Sequence, residues 1–216
     1  MTEIIEAIIL GHTPFGEHSA VVQTLSQVYG RRGFLVHIGR KTGTSLLLPM
    51  NIVEMEVVPN PKSTLWTARS ITLKDPLSGI RGSLYKNTIS LFLSEVLLRT
   101  VRDGQREEGL HDLCVRSVLT LDGLKSDFSN FHVRFLVELA GALGFRPSVE
   151  DIAPFTGEKT GRLMPFLTST FSESMLVPLS GAERNALCED LIRYLEYHTE
   201  SAIRVRSLSV LRDVFD

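Results

Sequence analysis

Through the first third of the chain, apolar residues recur mostly at every second position; beyond residue 84 they recur every three to four. The first period predicts strands and the second predicts helices. Residues 4–10 form a β-rich run, followed by a turn-rich loop over 11–17. Residues 21–25 read as a second strand. A turn at Gly30, Arg31, Arg32 and Gly33 leads into a third over 34–38. A basic loop over 39–44 and the Leu46–Leu48 triplet precede a strand at 52–58. Prolines at 59 and 61 break the chain before a last strand at 65–73. There Trp66, Ala68, Ser70 and Thr72 alternate with Leu65, Thr67, Arg69, Ile71 and Leu73. Five or so short strands within so few residues suit a small closed or nearly closed barrel, because closure removes edges that would otherwise pair with other chains.

The period changes near residues 78–83, so the barrel is expected over 1–80 and a helical domain over 81–216. Ile89, Phe92, Val96 and Leu97 share one face of a helix over 84–101. Leu110, Leu113, Cys114, Ser117, Leu121 and Leu124 repeat that spacing over 110–124. A third helix over 131–143 carries Phe131, Phe135, Leu139 and Leu143, with Ser126 and Asp127 as capping candidates and Gly144 and Pro147 as the stop. Ser180 and Glu183 match a capping box that opens a helix to about His198, and a final helix covers about 203–215. Residues 147–178, with Pro154, Pro165 and Pro178, read as a loop-rich insert with short helical pieces. The predicted fold class is α+β, a small β-barrel followed by an all-helical domain.

Composition excludes several classes. At 216 residues with 43% hydrophobic and 22% charged residues, the chain is an ordinary folded protein. Apolar runs such as 46–48 and 96–98 fall far short of the ~18 residues a membrane span needs, and an acidic start (Glu3, Glu6) is unlike a secretory signal. The expected location is cytoplasmic. Two cysteines, Cys114 and Cys188, support neither a disulfide framework nor a four-cysteine zinc site. The six histidines are scattered, with no pair at i, i+4. Neither Gly157-Glu158-Lys159-Thr160 nor Gly39-Arg40-Lys41-Thr42 completes a phosphate loop, and no Gly-x-Ser-x-Gly elbow is present. Binding is favoured over catalysis, and no cofactor is implied.

Charge gives binding a direction. The net charge is -2, yet residues 1–82 carry eight basic and six acidic side chains against fifteen and nineteen in the rest. No acidic residue occurs from 18 to 53, a stretch holding Arg31, Arg32, Arg40 and Lys41. Basic side chains on a curved β surface suit nucleic-acid phosphates; a solvated hairpin rim is the plain alternative.

Taken in order, several segments resemble the RecO recombination mediators of bacterial DNA repair. They are the opening strand 6–10, the Phe15-Gly16-Glu17-His18-Ser19 turn, the strand 21–25, Tyr29-Gly30 and the basic loop Gly39-Arg40-Lys41. Further on are Leu93-Ser94-Glu95-Val96-Leu97, the run 131–139 and the stop over 141–147. The resemblance implies an oligonucleotide-binding barrel (OB-fold) joined to a helical domain. It also implies binding of single- and double-stranded DNA, strand annealing, cooperation with RecR, binding of the acidic tail of single-stranded-DNA-binding protein, and help in loading recombinase at coated gaps. A nucleoid-associated site follows from those roles. Many family members carry a zinc-binding cysteine cluster after the central helix; residues 148–171 here contain no cysteine, so no zinc cluster is expected.

On this reading Arg31, Arg32, Arg40 and Lys41 contact phosphates, and Arg69 and Lys74 extend the path. Phe34 and Trp66 either stack on bases or fill the core. Arg116 and Arg134 either hold the acidic tail or pair with Asp112 and Glu138 one helical turn away. Arg204 and Arg206, with Arg212, form a late basic cluster that is a partner surface or a second DNA contact. A pI near 6.3 keeps a rival reading open, a protein–protein adaptor with incidental DNA affinity.

Overall fold

The computed structural model describes residues 2–39 and 43–215. Five strands, β1 (Glu3–Pro14), β2 (Ser19–Ser26), β3 (Gly30–His37), β4 (Ile52–Val58) and β5 (Leu65–Leu73), close a barrel in the order β1-β2-β3-β5-β4. All pairs are antiparallel except β3 with β5. Inward positions follow the two-residue period: Ile5, Ala7 and Ile9 from β1, Ala20 and Val22 from β2, and Phe34 and Val36 from β3. Leu47, from a short 3-10 turn over Thr44–Leu47, joins that core.

Three expectations are corrected here. β1 continues to Pro14 rather than ending at 10, because a bulge between Ile9 and Gly11 lets it keep pairing with β2. The β2–β3 turn lies at 27–29, so Arg31 and Arg32 are strand residues. In β5 the alternation slips after Ala68: Val57 and Glu56 of β4 pair with Ala68 and Ser70, so Arg69 is the extra residue of a bulge, and Ser70 is exposed while Ile71 is buried.

Two compact units divide the chain, Met1–Leu77 with Val101–Arg116, and Ser78–Thr100 with Ser117–Asp216. The expected boundary near 80 placed all of 101–116 with the helices. The segment instead pairs with the start of β3: Arg31 donates its N–H to Gln105 O (3.2 Å), and Gly104 donates to Arg31 O (2.7 Å).

Nine α-helices occur among the described residues: α1 (Ser78–Arg81), α2 (Leu84–Thr100), α3 (Leu110–Gly123), α4 (Phe131–Ala142), α5 (Val149–Thr156), α6 (Thr160–Thr168), α7 (Phe171–Met175), α8 (Gly181–Thr199) and α9 (Ser207–Phe215). In the second unit Phe92, Leu93, Val96, Val133, Leu136, Leu187 and Leu191 are fully buried. The Ser180–Glu183 capping box is present as read. The insert is more helical than expected, since Ser148–Asp151 and Thr170–Glu173 form two further capping boxes. Its helices run only five to nine residues, too short for a periodic signal. The N-cap of α4 is Asn130 rather than Ser126 or Asp127, and its side chain faces inward. Its Nδ2 donates to the carbonyls of Ser174, Met175 and Val177, and its Oδ1 accepts from Arg184 Nε (3.0 Å).

Candidate nucleic-acid interface

Directly paired residues in an antiparallel ladder point to the same side of the sheet. Val22 and Phe34 are paired and inward, so Ser19 and His37, also paired, are outward. Beyond the Pro14–Ala20 pair, Phe15 donates its N–H to Ser19 O (2.8 Å) and takes its place opposite Ser19. One step past the Val36–Ala68 pair, His37 and Arg69 are both exposed. The outer surface of the barrel thus carries a cross-strand row of Phe15, Ser19 and His37, with exposed Arg69 at the β5 bulge next to the last β3–β5 pair. The His18 ring lies against His37, with centroids 6.2 Å apart. Residues 39–43 contain no acidic residue and follow β3 in sequence; Arg40 and Lys41 lie outside the described residues.

The other barrel candidates are committed internally. Arg31 is half-buried; it donates from Nη1 to Val101 O (2.8 Å) and from Nη2 to Gln23 Oε1 (3.5 Å). Arg32 shares the inward parity of Phe34, and its guanidinium lies over the Trp66 ring, 4.1 Å from the centroid. Both arginines depart from the expected exposed turn because the strand starts earlier. Lys74 is exposed and ion-paired with Glu6, whose hydrogen bond raises the lysine pKa. Phe34 is fully buried, and Trp66 is 7% exposed with Nε1 donating to Ser63 O (3.0 Å). Neither presents a ring face to a base, which corrects the stacking expectation; their bulk is what fills a barrel this narrow. Arg69 alone of the described barrel candidates is exposed without such a commitment.

In the helical unit, Arg134 is a structural clamp. It donates to Glu138 Oε1 (2.8 Å), Phe166 O (2.8 Å) and Ser169 O (3.1 Å), and its side chain is 15% exposed. The tail-binding expectation for it is corrected on that ground. In the barrel's unit, Arg116 is exposed and donates to the Asp112 backbone carbonyl (3.4 Å), not to its carboxylate. Arg204 and Arg206 are exposed. Their neighbours Ile203 and Val205 line a cleft of about 560 Å³, together with Ile192, Leu208, Lys159, Arg193, Glu189 and Asp190. Both of those cations converge on the buried carboxylate of Asp190. Sequence reasoning missed Phe15, His37, Lys159 and Arg193 as candidates. The bulge that turns Phe15 outward and the fold that brings 159, 193 and 203–208 together leave no local signal.

Cys114 and Cys188 are buried, and burial raises both thiol pKa values. Among the described residues no group of His, Cys, Asp or Glu could hold a metal ion, and no helix is long and apolar enough to cross a membrane.

Residues 1–77 match the family model described as Recombination protein O N terminal, and residues 81–153 match that of Recombination protein O C terminal. The chain is similar to proteins named DNA repair protein RecO from Bacteroides fragilis (26% identical, 97% of each chain) and Flavobacterium johnsoniae (28%, covering 97% and 98%). The one from Porphyromonas gingivalis is 24% identical over the full length of both. A closed five-stranded barrel followed by a helical region, matched on both sides of the junction, makes this chain a member of the RecO family, with a role in DNA repair and recombination.

Proposed function

We propose that the protein is a DNA-binding recombination mediator. It binds single- and double-stranded DNA, anneals strands, and helps load recombinase at gaps coated with single-stranded-DNA-binding protein, working with RecR. These are binding acts with no covalent chemistry. The observation that carries the reading is the outer barrel surface, where Arg69 is exposed beyond His37; in sequence, the acid-free stretch with Arg40 and Lys41 follows β3. Phosphates are neutralised there by side chains that point away from the core.

The acidic tail of single-stranded-DNA-binding protein is better served by exposed Arg204 and Arg206, next to the apolar cleft residues Ile203, Val205 and Leu208, than by Arg134. Lys159 and Arg193, which also line that cleft, are already ion-paired with Asp190, and Glu189 adds a further acid there. Arg116 remains a separate candidate.

Fluorescence anisotropy with labelled single-stranded DNA across a salt series tests the reading. Wild type should bind at low salt with a steep slope. The triple variant Arg40→Glu/Lys41→Glu/Arg69→Glu should bind weakly, its slope reduced by about 0.7 for each phosphate it no longer neutralises. Equal binding by both places the DNA site elsewhere, with Arg204 and Arg206 next to be tested. No binding by either favours the adaptor reading.

A further inference from the structure

Phe15 is 58% exposed at the tip joining β1 and β2. A large aromatic ring left in water forgoes the burial that the rest of the barrel's apolar side chains achieve. Nor is it on a slack loop. Its own N–H is bonded to Ser19 O (2.8 Å), and His18 O accepts from Ile38 N (2.7 Å), which fastens the tip to the end of β3. Gly16, at φ 71°, takes the left-handed conformation that closes so short a turn. The ring is thus presented on a braced hairpin.

The row it heads is chemically graded. Phe15 is followed by Ser19, then by the His37 imidazole with His18 against it, and beyond the row by the Arg69 guanidinium at the β5 bulge. Adjacent strands are about 4.8 Å apart, so the path spans about 14 Å from aromatic to cation. An aromatic face and a cation spaced along one path match an unpaired base and a backbone phosphate of one strand. The tip itself is a poor phosphate site because Glu17 is exposed there. That excludes the backbone from Phe15 and leaves the uncharged base as the fitting group.

We infer that Phe15 is a base-stacking platform for single-stranded nucleic acid, with the strand crossing β1, β2, β3 and β5 along the row toward Arg69. The inference rests on the DNA-binding reading above and deepens it: the aromatic ring selects unpaired bases, whereas Arg69 serves single and double strands alike. Stacking needs an exposed base face, which a duplex does not offer in its interior.

The test compares wild type, Phe15→Ala, Phe15→Trp and Arg69→Glu by anisotropy on labelled oligothymidylate and on a blunt duplex of equal length. Phe15 is largely exposed, so its substitution leaves the core intact; the thermal melt checks this. Phe15→Ala should bind oligothymidylate about 5- to 100-fold more weakly and the duplex nearly as wild type does. Phe15→Trp should retain affinity, and its added emission should be quenched on binding oligothymidylate. Arg69→Glu should weaken both. If Phe15→Ala matches wild type on oligothymidylate while Arg69→Glu fails, the stacking role is overturned and the DNA-binding reading stands. Equal loss on both substrates also overturns stacking. If wild type binds neither, the DNA-binding reading falls and this inference with it.

Discussion

His132 sits fully enclosed on α4, its ring 5.8 Å from that of Phe92. Burial, and then the nearby Arg184 cation, push its pKa down to about 3. In the unfolded chain an imidazole takes up its proton near pH 6.5. Between those values the unfolded state binds the extra proton, so stability is full above 6.5 and falls as pH drops toward 3. Unfolding free energy measured by denaturant from pH 6.5 to 5 should fall by up to ~1.4 kcal/mol per pH unit from this group. His132→Phe should flatten that slope; an unchanged slope would mean that other groups set it. Of the arginines, the i, i+4 pairing of Arg134 with Glu138 is legible as an alternative because it needs only helical spacing. The two carbonyls that complete the clamp come from Phe166 and Ser169, which no local pattern connects to α4.

Among the helices, α9 is held to α2 by one carboxylate. Glu95 accepts from the N–H groups of Arg206 (3.0 Å) and Ser207 (2.9 Å) and from the Ser207 hydroxyl (2.6 Å), capping the helix from outside its own sequence. Burial alone would raise the Glu95 pKa, but these hydrogen bonds and the Arg99 charge outweigh it, and the net shift is downward. A depressed carboxylate stabilises above its unfolded pKa and loses that contribution as pH falls through the folded value. Glu95→Ala should cost about 1–2 kcal/mol and raise amide exchange in α9 first; uniform exchange across α2 and α9 would contradict a local docking role. The Ser180 cap is readable because its partner lies three residues away. The Glu95 cap is not, since its acceptor is more than a hundred residues from the N–H groups it satisfies.

For the molecule entire, the barrel's unit is discontinuous in sequence, with Val101–Arg116 returning to it after α2. Gly30 permits the return. It sits at φ 60°, and a Cβ there would lie 1.9 Å from Gln105 O. Gly30→Ala should therefore cost about 3 kcal/mol, combining a left-handed backbone with a clash against main chain that has nowhere to move. Denaturant unfolding followed by Trp66 emission should show the lower midpoint, since that ring is in the barrel core; an unchanged midpoint would mean that 101–116 is loosely held.

The order of the strands and of the longer helices, the capping box of α8, the small barrel and the family are all legible in the bare chain. Each depends on period or spacing within a few residues, or on the order of short motifs. Which basic and aromatic side chains face water is settled by strand pairing instead. A bulge at Ile9–Gly11 sends Phe15 outward, and an early start to β3 sends Arg32 in over Trp66. One residue of register exchanges core for surface, and the pairing that sets register lies on another strand.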